Sequence, residues 1–191
     1  MSLKGDVGEI LYVKLNLLRG NVYRELNSFE KALDIYEETL KHNNLENNFK
    51  AIAYDNMALC FMEKGQYNSS KKYFNMALNV AQMFPHMAYK IMADMSEMNE
   101  KIGDYQEARK LLIKGISLIG DIEDYKYRLI YLRQLYVLEE KSKNIKGQKD
   151  IAISMLSLAR EFELQEQMLW ARKKLIDIAI KENDLSILKE A

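Results

Sequence analysis

Three stretches decide how this chain folds: NSFEKALDIYEETL (27–40), GQYNSSKKYFNMAL (65–78) and GDYQEARKLLIKGI (103–116). Asn27, Gly65 and Gly103 are 38 residues apart. Two positions after each comes an aromatic (Phe29, Tyr67, Tyr105), then a small residue (Ala32, Ser70, Ala108), then a large apolar one (Tyr36, Phe74, Leu112). Upstream, Gly20, Ala58 and Ser96 keep the same 38-residue interval, followed by Tyr23, Phe61 and the weaker Asn99. Repetition at this period signals stacked supersecondary units. A small residue on one helix lets the next approach within the ~8–10 Å of packed helices. Gly or Asn between helices adopts the left-handed conformation that ends the first. Asp104, and Asn27 with Ser28, offer oxygens to cap the second, and the aromatic just inside it anchors the hairpin core. Asn144 with Gly147 and then Asn183-Asp184-Leu185 mark weaker copies, 41 and 39 residues further on.

The positions Gly20, Tyr23, Ala32 and Tyr36, then Ala58, Phe61, Tyr67, Phe74 and Ala77, then Gly103, Tyr105 and Ala108 resemble the tetratricopeptide repeat. That family's pattern runs W-x2-L-G-x2-Y, A-x3-F, P. The period here exceeds the family's ~34 residues and the helix-ending proline is largely absent, so each unit carries about one extra helical turn. The resemblance implies an all-α fold, a right-handed superhelix (α-α solenoid) of about five helical hairpins. The repeats are clear over about 13–46, 51–84 and 89–122 and degenerate over about 123–163 and 164–191, in a single domain. Helices are expected over about 6–26, 28–42, 46–64, 67–83, 86–102, 105–119, 122–142, 147–161, 164–182 and 184–191.

Composition agrees. Hydrophobic residues at 48% and charged ones at 29% suit a folded chain rather than a disordered one. One proline and 8 glycines favour long helices with short connections. Lys plus Arg (28) balance Asp plus Glu (28), so the basic surplus that displaces counterions from nucleic acid is missing, and direct nucleic-acid contact is not expected. No apolar run approaches the ~18–20 residues that span a bilayer. The start, MSLKGDVGEI, has no signal-peptide pattern. With Cys60 the one cysteine, no internal disulfide can form, and a cytoplasmic, reducing location is expected.

Catalysis is not expected. His42 and His86 sit near expected helix ends, where His42 interacts with the helix dipole, and Cys60 reads as a small buried hydrophobe. There is no phosphate loop, no metal-ligand spacing and no cofactor motif. The methionines of 87–98, with Met57, Met62, Met76 and Met83, fit either a pliable groove or core. Trp170 fits either a core anchor or a ligand platform.

In tetratricopeptide arrays the first helix of each pair lines the concave surface. By that resemblance Asn21 and Asn56 match the peptide-gripping asparagines of the carboxylate-clamp type, and Lys90 matches a clamp lysine. Leu17 and Asp94 stand where a lysine and an arginine are expected, which speaks against capture of a C-terminal carboxylate and leaves backbone gripping. Arg24, Asp55, Leu59 and Glu97 are placed on the same face, as are Lys14, Met62, Lys101, Gln134, Leu138, Trp170, Lys173 and Lys174. Solvated helix polar groups remain the plain alternative. The expected function is a protein- or peptide-binding scaffold. The alternative is the peptide-sensing regulatory domain of a bacterial transcription regulator whose DNA-binding segment is absent from this chain. A homodimer is a candidate assembly, with Leu185 and Leu188 of the C-terminal segment as a cap or contact.

Overall fold

The computed structural model describes residues 3–119 and 125–189, with side chains from residue 8 onward. The expected helix start at 122 and the last two residues of the expected C-terminal helix lie outside the described residues. Within them all regular structure is helical. The chain forms two compact units, Met1–Gly103 and Asp104–Ala191.

The first unit holds α1 (Leu3–Glu25), α2 (Phe29–Leu40), α3 (Asn47–Glu63), α4 (Tyr67–Val80) and α5 (Pro85–Lys101). Each packs on the next, and α1, α3 and α5 also lie side by side, which is the stacked-hairpin arrangement that the 38-residue period calls for. The short connections follow from left-handed residues. Asn27 (φ 56°), Gly65 (φ 72°) and Gly103 (φ 82°) close α1, α3 and α5, a conformation that glycine and asparagine reach at little steric cost. The lone Pro85 opens α5, where its missing N–H is not needed. Asn27 is spent on the turn, and Ser28 at the N-cap of α2 makes no side-chain cap bond, so the capping role read for that pair is not realised.

The large-into-small pairing is literal. Tyr36 is fully buried, and a Cβ on Gly20 would collide with its ring, lying 2.7 Å from Cζ and 2.9 Å from Cδ1. In the next hairpin Ser70, also fully buried, donates its hydroxyl to the Ala58 carbonyl at 2.8 Å. Val13, Leu17, Ala32, Tyr36, Leu45, Phe49, Ala53, Met57 and Cys60 form one buried cluster, with Phe29 and Tyr23 against its edge. Burying side chains of this size contributes about 1.5–3 kcal/mol each before entropy is counted. Met57, Met62, Met92, Met95 and Met98 are core, while Met83 is exposed.

The second unit holds α6 (Tyr105–Ile119), α7 (Tyr125–Lys141), α8 (Ile145–Glu161), α9 (Gln165–Glu182) and a 3-10 turn, Leu185–Lys189. Consecutive helices again pack on one another. Asp104 caps α6, accepting from the Glu107 N–H at 3.1 Å. Tyr105, unlike Phe29, stays exposed. Between α7 and α8 the sequence marks Asn144 and Gly147 as the turn, but the left-handed residue is Lys143 (φ 58°). Asn144 is the α8 N-cap, and Gly147 lies inside the helix.

Gly147 is there for room. Asn144 Oδ1 accepts from the Gly147 N–H at 3.1 Å, and its Nδ2 donates to Glu139 Oε2 at 2.6 Å. Glu139 is almost wholly buried. Arg109 sets its Nε 2.5 Å from Oε1, a charge contact rather than an aligned hydrogen bond.

Candidate functional site

Most residues that the sequence assigns to a peptide-binding face lie in the first unit, on α1, α3 and α5; Gln134, Leu138, Trp170, Lys173 and Lys174 lie on α7 and α9 of the second, where Leu138 is buried. Asp55 and Asn56 are both buried on α3. Lys90 on α5 reaches across to Asp55 Oδ2 at 2.7 Å and back to Asp94 Oδ2 at 2.9 Å. Arg24 on α1 reaches across to Glu63 on α3 at 2.7 Å, a partner that the sequence reading missed. Ion pairs between successive first helices therefore tie α1 to α3 and α3 to α5.

The remaining members are dispersed around this centre. Asn21 uses its Oδ1 to accept from the buried Tyr36 hydroxyl at 2.7 Å, leaving its Nδ2 to donate. Leu17 is turned into the core cluster. Leu59 is half-buried, and the exposed Glu97 pairs with Lys101 at 3.2 Å along α5.

Several polar atoms here are buried without a hydrogen bond: Asn16 Nδ2, Arg24 Nε and Asp55 Oδ1. Polar groups buried without a partner are uncommon, because each gives up hydration for nothing.

The electrostatics of Asp55 follow from this. Burial is the largest influence and pushes its carboxyl up to about 6; Lys90 pulls it back and Asp94 adds to the rise. Burial would lower the Lys90 ammonium, but Asp55 and Asp94 outweigh it and hold it above its ordinary value. A carboxyl raised in the folded state holds its proton to higher pH than in the unfolded chain. Native stability is therefore lost as pH climbs from the ordinary carboxylate range through about 6. Asn cannot ionise, and Lys90 keeps Asp94 as a partner. Asp55→Asn is expected to stabilise the first unit by on the order of 1 kcal/mol at pH 7.5, with the gain vanishing near pH 4. Urea melts at the two pH values check this, and an equal effect at both would contradict it.

Elsewhere the chemistry is quiet. Burial pushes the Cys60 thiol up to about 12, which disarms it as a nucleophile. No group of three or more His, Cys, Asp or Glu side chains could hold a metal among the described residues, and no described helix is long and apolar enough to cross a membrane. In the second unit Trp170 packs edge-on against Tyr136, ring centroids 5.1 Å apart, with Arg133 and Lys174 over its ring.

Comparison with known proteins agrees with the helical-repeat fold. Residues 51–82, which comprise α3, the Gly65 turn and α4, match the family model of the tetratricopeptide repeat. No curated protein matches the chain. Among solved structures, the putative kinesin light chain TPR-like repeats of Podosopora anserina are similar, at 11% identity and TM-score 0.72 over 94% of this chain and 92% of that one. A second similar structure is a Signal Transduction ATPase with Numerous Domains protein of Pyrococcus horikoshii with a tetratricopeptide repeat sensor. It shows 15% identity and TM-score 0.70 over 92% of this chain, which spans 27% of that protein. A third is pilF of Pseudomonas aeruginosa, at 13% identity and TM-score 0.60 over 95% of this chain and 89% of that one. Residues 51–82 thus match the repeat itself, and the chain has the all-α helical-repeat fold of tetratricopeptide structures.

Proposed function

We propose that the chain is a protein-binding scaffold whose first unit grips an extended polypeptide along α1, α3 and α5. The observation that carries this reading is the adjacent α3 pair Asp55 and Asn56, both buried, with the Asp55 Oδ1 lacking a hydrogen-bond partner. A peptide backbone carries both donors and acceptors, and a primary amide such as that of Asn56 can donate and accept at once. Asn21 adds a free Nδ2, and Lys90, tethered between two carboxylates, bounds the site with charge. The Asp55 and Asp94 carboxylates also suit a ligand without strong negative charge. Cytoplasmic residence and the absence of a catalytic role belong to the same reading.

The test is affinity selection of a random peptide library, followed by titration of the enriched peptides. Asn56→Ala is expected to weaken binding by about fivefold, the effect of one hydrogen bond worth on the order of 1 kcal/mol. Asn21→Ala with Asn56→Ala is expected to weaken it further. Unchanged affinity in the double variant would remove this face from the binding site.

A regulatory version, in which the repeats sense a signalling peptide on behalf of a DNA-binding segment, would use the same face. Its support is the likeness in fold to a protein with a tetratricopeptide repeat sensor. It requires that the selected peptides include a short free one, and longer protein segments only would count against it.

A further inference from the structure

The helix α1 is apolar on two opposite sides. Val13 and Leu17 point into the core cluster. On the other side Leu11, Leu15, Leu18, Val22 and Leu26 are 55, 55, 61, 54 and 67% exposed. Their spacing of four, three, four and four residues is that of a coiled-coil seam. One repeat later, Phe49, Ala53 and Cys60 occupy the positions of Leu11, Leu15 and Val22 and are at most 8% exposed, and after another repeat Ile91 and Met98 are at most 2% exposed. The stripe is thus the kind of surface that this fold covers with another helix, and among the described residues nothing covers it.

We propose that the occupant is a second copy of this chain, its α1 lying antiparallel on the first across a two-fold axis. In that register Leu11 of one copy meets Val22 of the other, and Leu15 meets Leu18, giving four closed apolar layers. The flanks then fit. Arg19 of each copy comes beside Tyr12 of the other, whose hydroxyl donates to the exposed Glu38 carboxylate at 2.9 Å, so a cation meets an aromatic ring and an acid. Lys14 meets Asn21. A parallel pairing would instead set Lys14 against Arg19 twice, like charge on like charge, and this selects the antiparallel form. The stripe is also large enough: two copies together would bury on the order of 1,000 Å², the lower edge of specific interfaces.

Sedimentation equilibrium of the full chain tests the assembly, and a cysteine pairing tests its register. The wild type is expected to be a dimer. Leu15→Glu with Leu18→Glu changes only exposed positions, so the helical circular dichroism should be retained. That variant should weaken association by roughly a hundredfold or more, because closure would bury four unpaired carboxylates. When Leu11→Cys and Val22→Cys proteins are mixed under mild oxidation, the mixed disulfide should dominate, and the buried Cys60 should not compete. A monomeric wild type, a dimer that survives the double glutamate variant, or homodisulfides only would each overturn the proposal.

Discussion

Replacing Tyr36 by alanine is expected to lower the stability of the first unit by about 3–5 kcal/mol, at the upper end of what single core substitutions do. Its ring is fully buried, lies over the bare backbone of Gly20 and sits in the cluster with Leu17, Phe49 and Met57. Nothing nearby can collapse into the space, because the position opposite already lacks a side chain. Tyr36→Phe separates the ring from its hydroxyl. It should cost only about 1 kcal/mol, since Asn21 is only partly buried and its amide can turn to water instead. Urea denaturation followed by circular dichroism gives both values, and equal losses for the two variants would show that packing is not what Tyr36 supplies.

The second large effect belongs to Gly147. An alanine there is ordinarily favourable inside a helix, by up to about 1 kcal/mol. Here the added methyl would lie 2.6 Å from Asn144 Nδ2 and 2.8 Å from the Glu139 carboxyl. Asn144 must give way, so α8 loses its cap, a change of about 1 kcal/mol. The buried Glu139 loses its shortest hydrogen bond, a further ~1–3 kcal/mol. Gly147→Ala is therefore expected to destabilise the second unit by about 2 kcal/mol net. Gly8→Ala is the control: nothing lies within 4 Å of a Cβ there, and it should be neutral or mildly stabilising. Should the two glycines behave alike in thermal melts, the Glu139–Asn144 network has no such weight.

The pairings that were legible in the sequence are those in which one position dictates the other. Gly20 against Tyr36 is such a pairing, because a large group needs a small one opposite, and the small positions Gly20, Ala58 and Ser96 recur at a fixed interval. The turns at Asn27, Gly65 and Gly103 were legible for the same kind of reason, since few residue types tolerate a positive φ. Lys143 and Glu163 were not, because at φ 58° and 53° they take a conformation that their side chains do not advertise. Gly147 misled because a glycine serving as space for a buried carboxylate looks the same as one serving a turn. On the candidate face, which helix carries Asp55 and Lys90 follows from the repeat. That Lys90 bridges to Asp55, that Leu17 turns inward and that Asn21 is held by Tyr36 depends on the rotation of each helix by a few tens of degrees, which periodicity does not specify. The outward stripe of α1 did leave a trace: LYVKLNLL (11–18) is apolar too often for a helix with one buried side.

The placement of two singular residues has a practical result. Cys60, the one thiol, is sealed in the first unit, and Trp170, the one indole, packs edge-on against Tyr136 in the second. Thiol-labelling kinetics therefore clock the opening of one half of the chain while indole emission clocks the other, with no engineered reporter. Whether the halves melt in concert or in sequence can be read from a single sample.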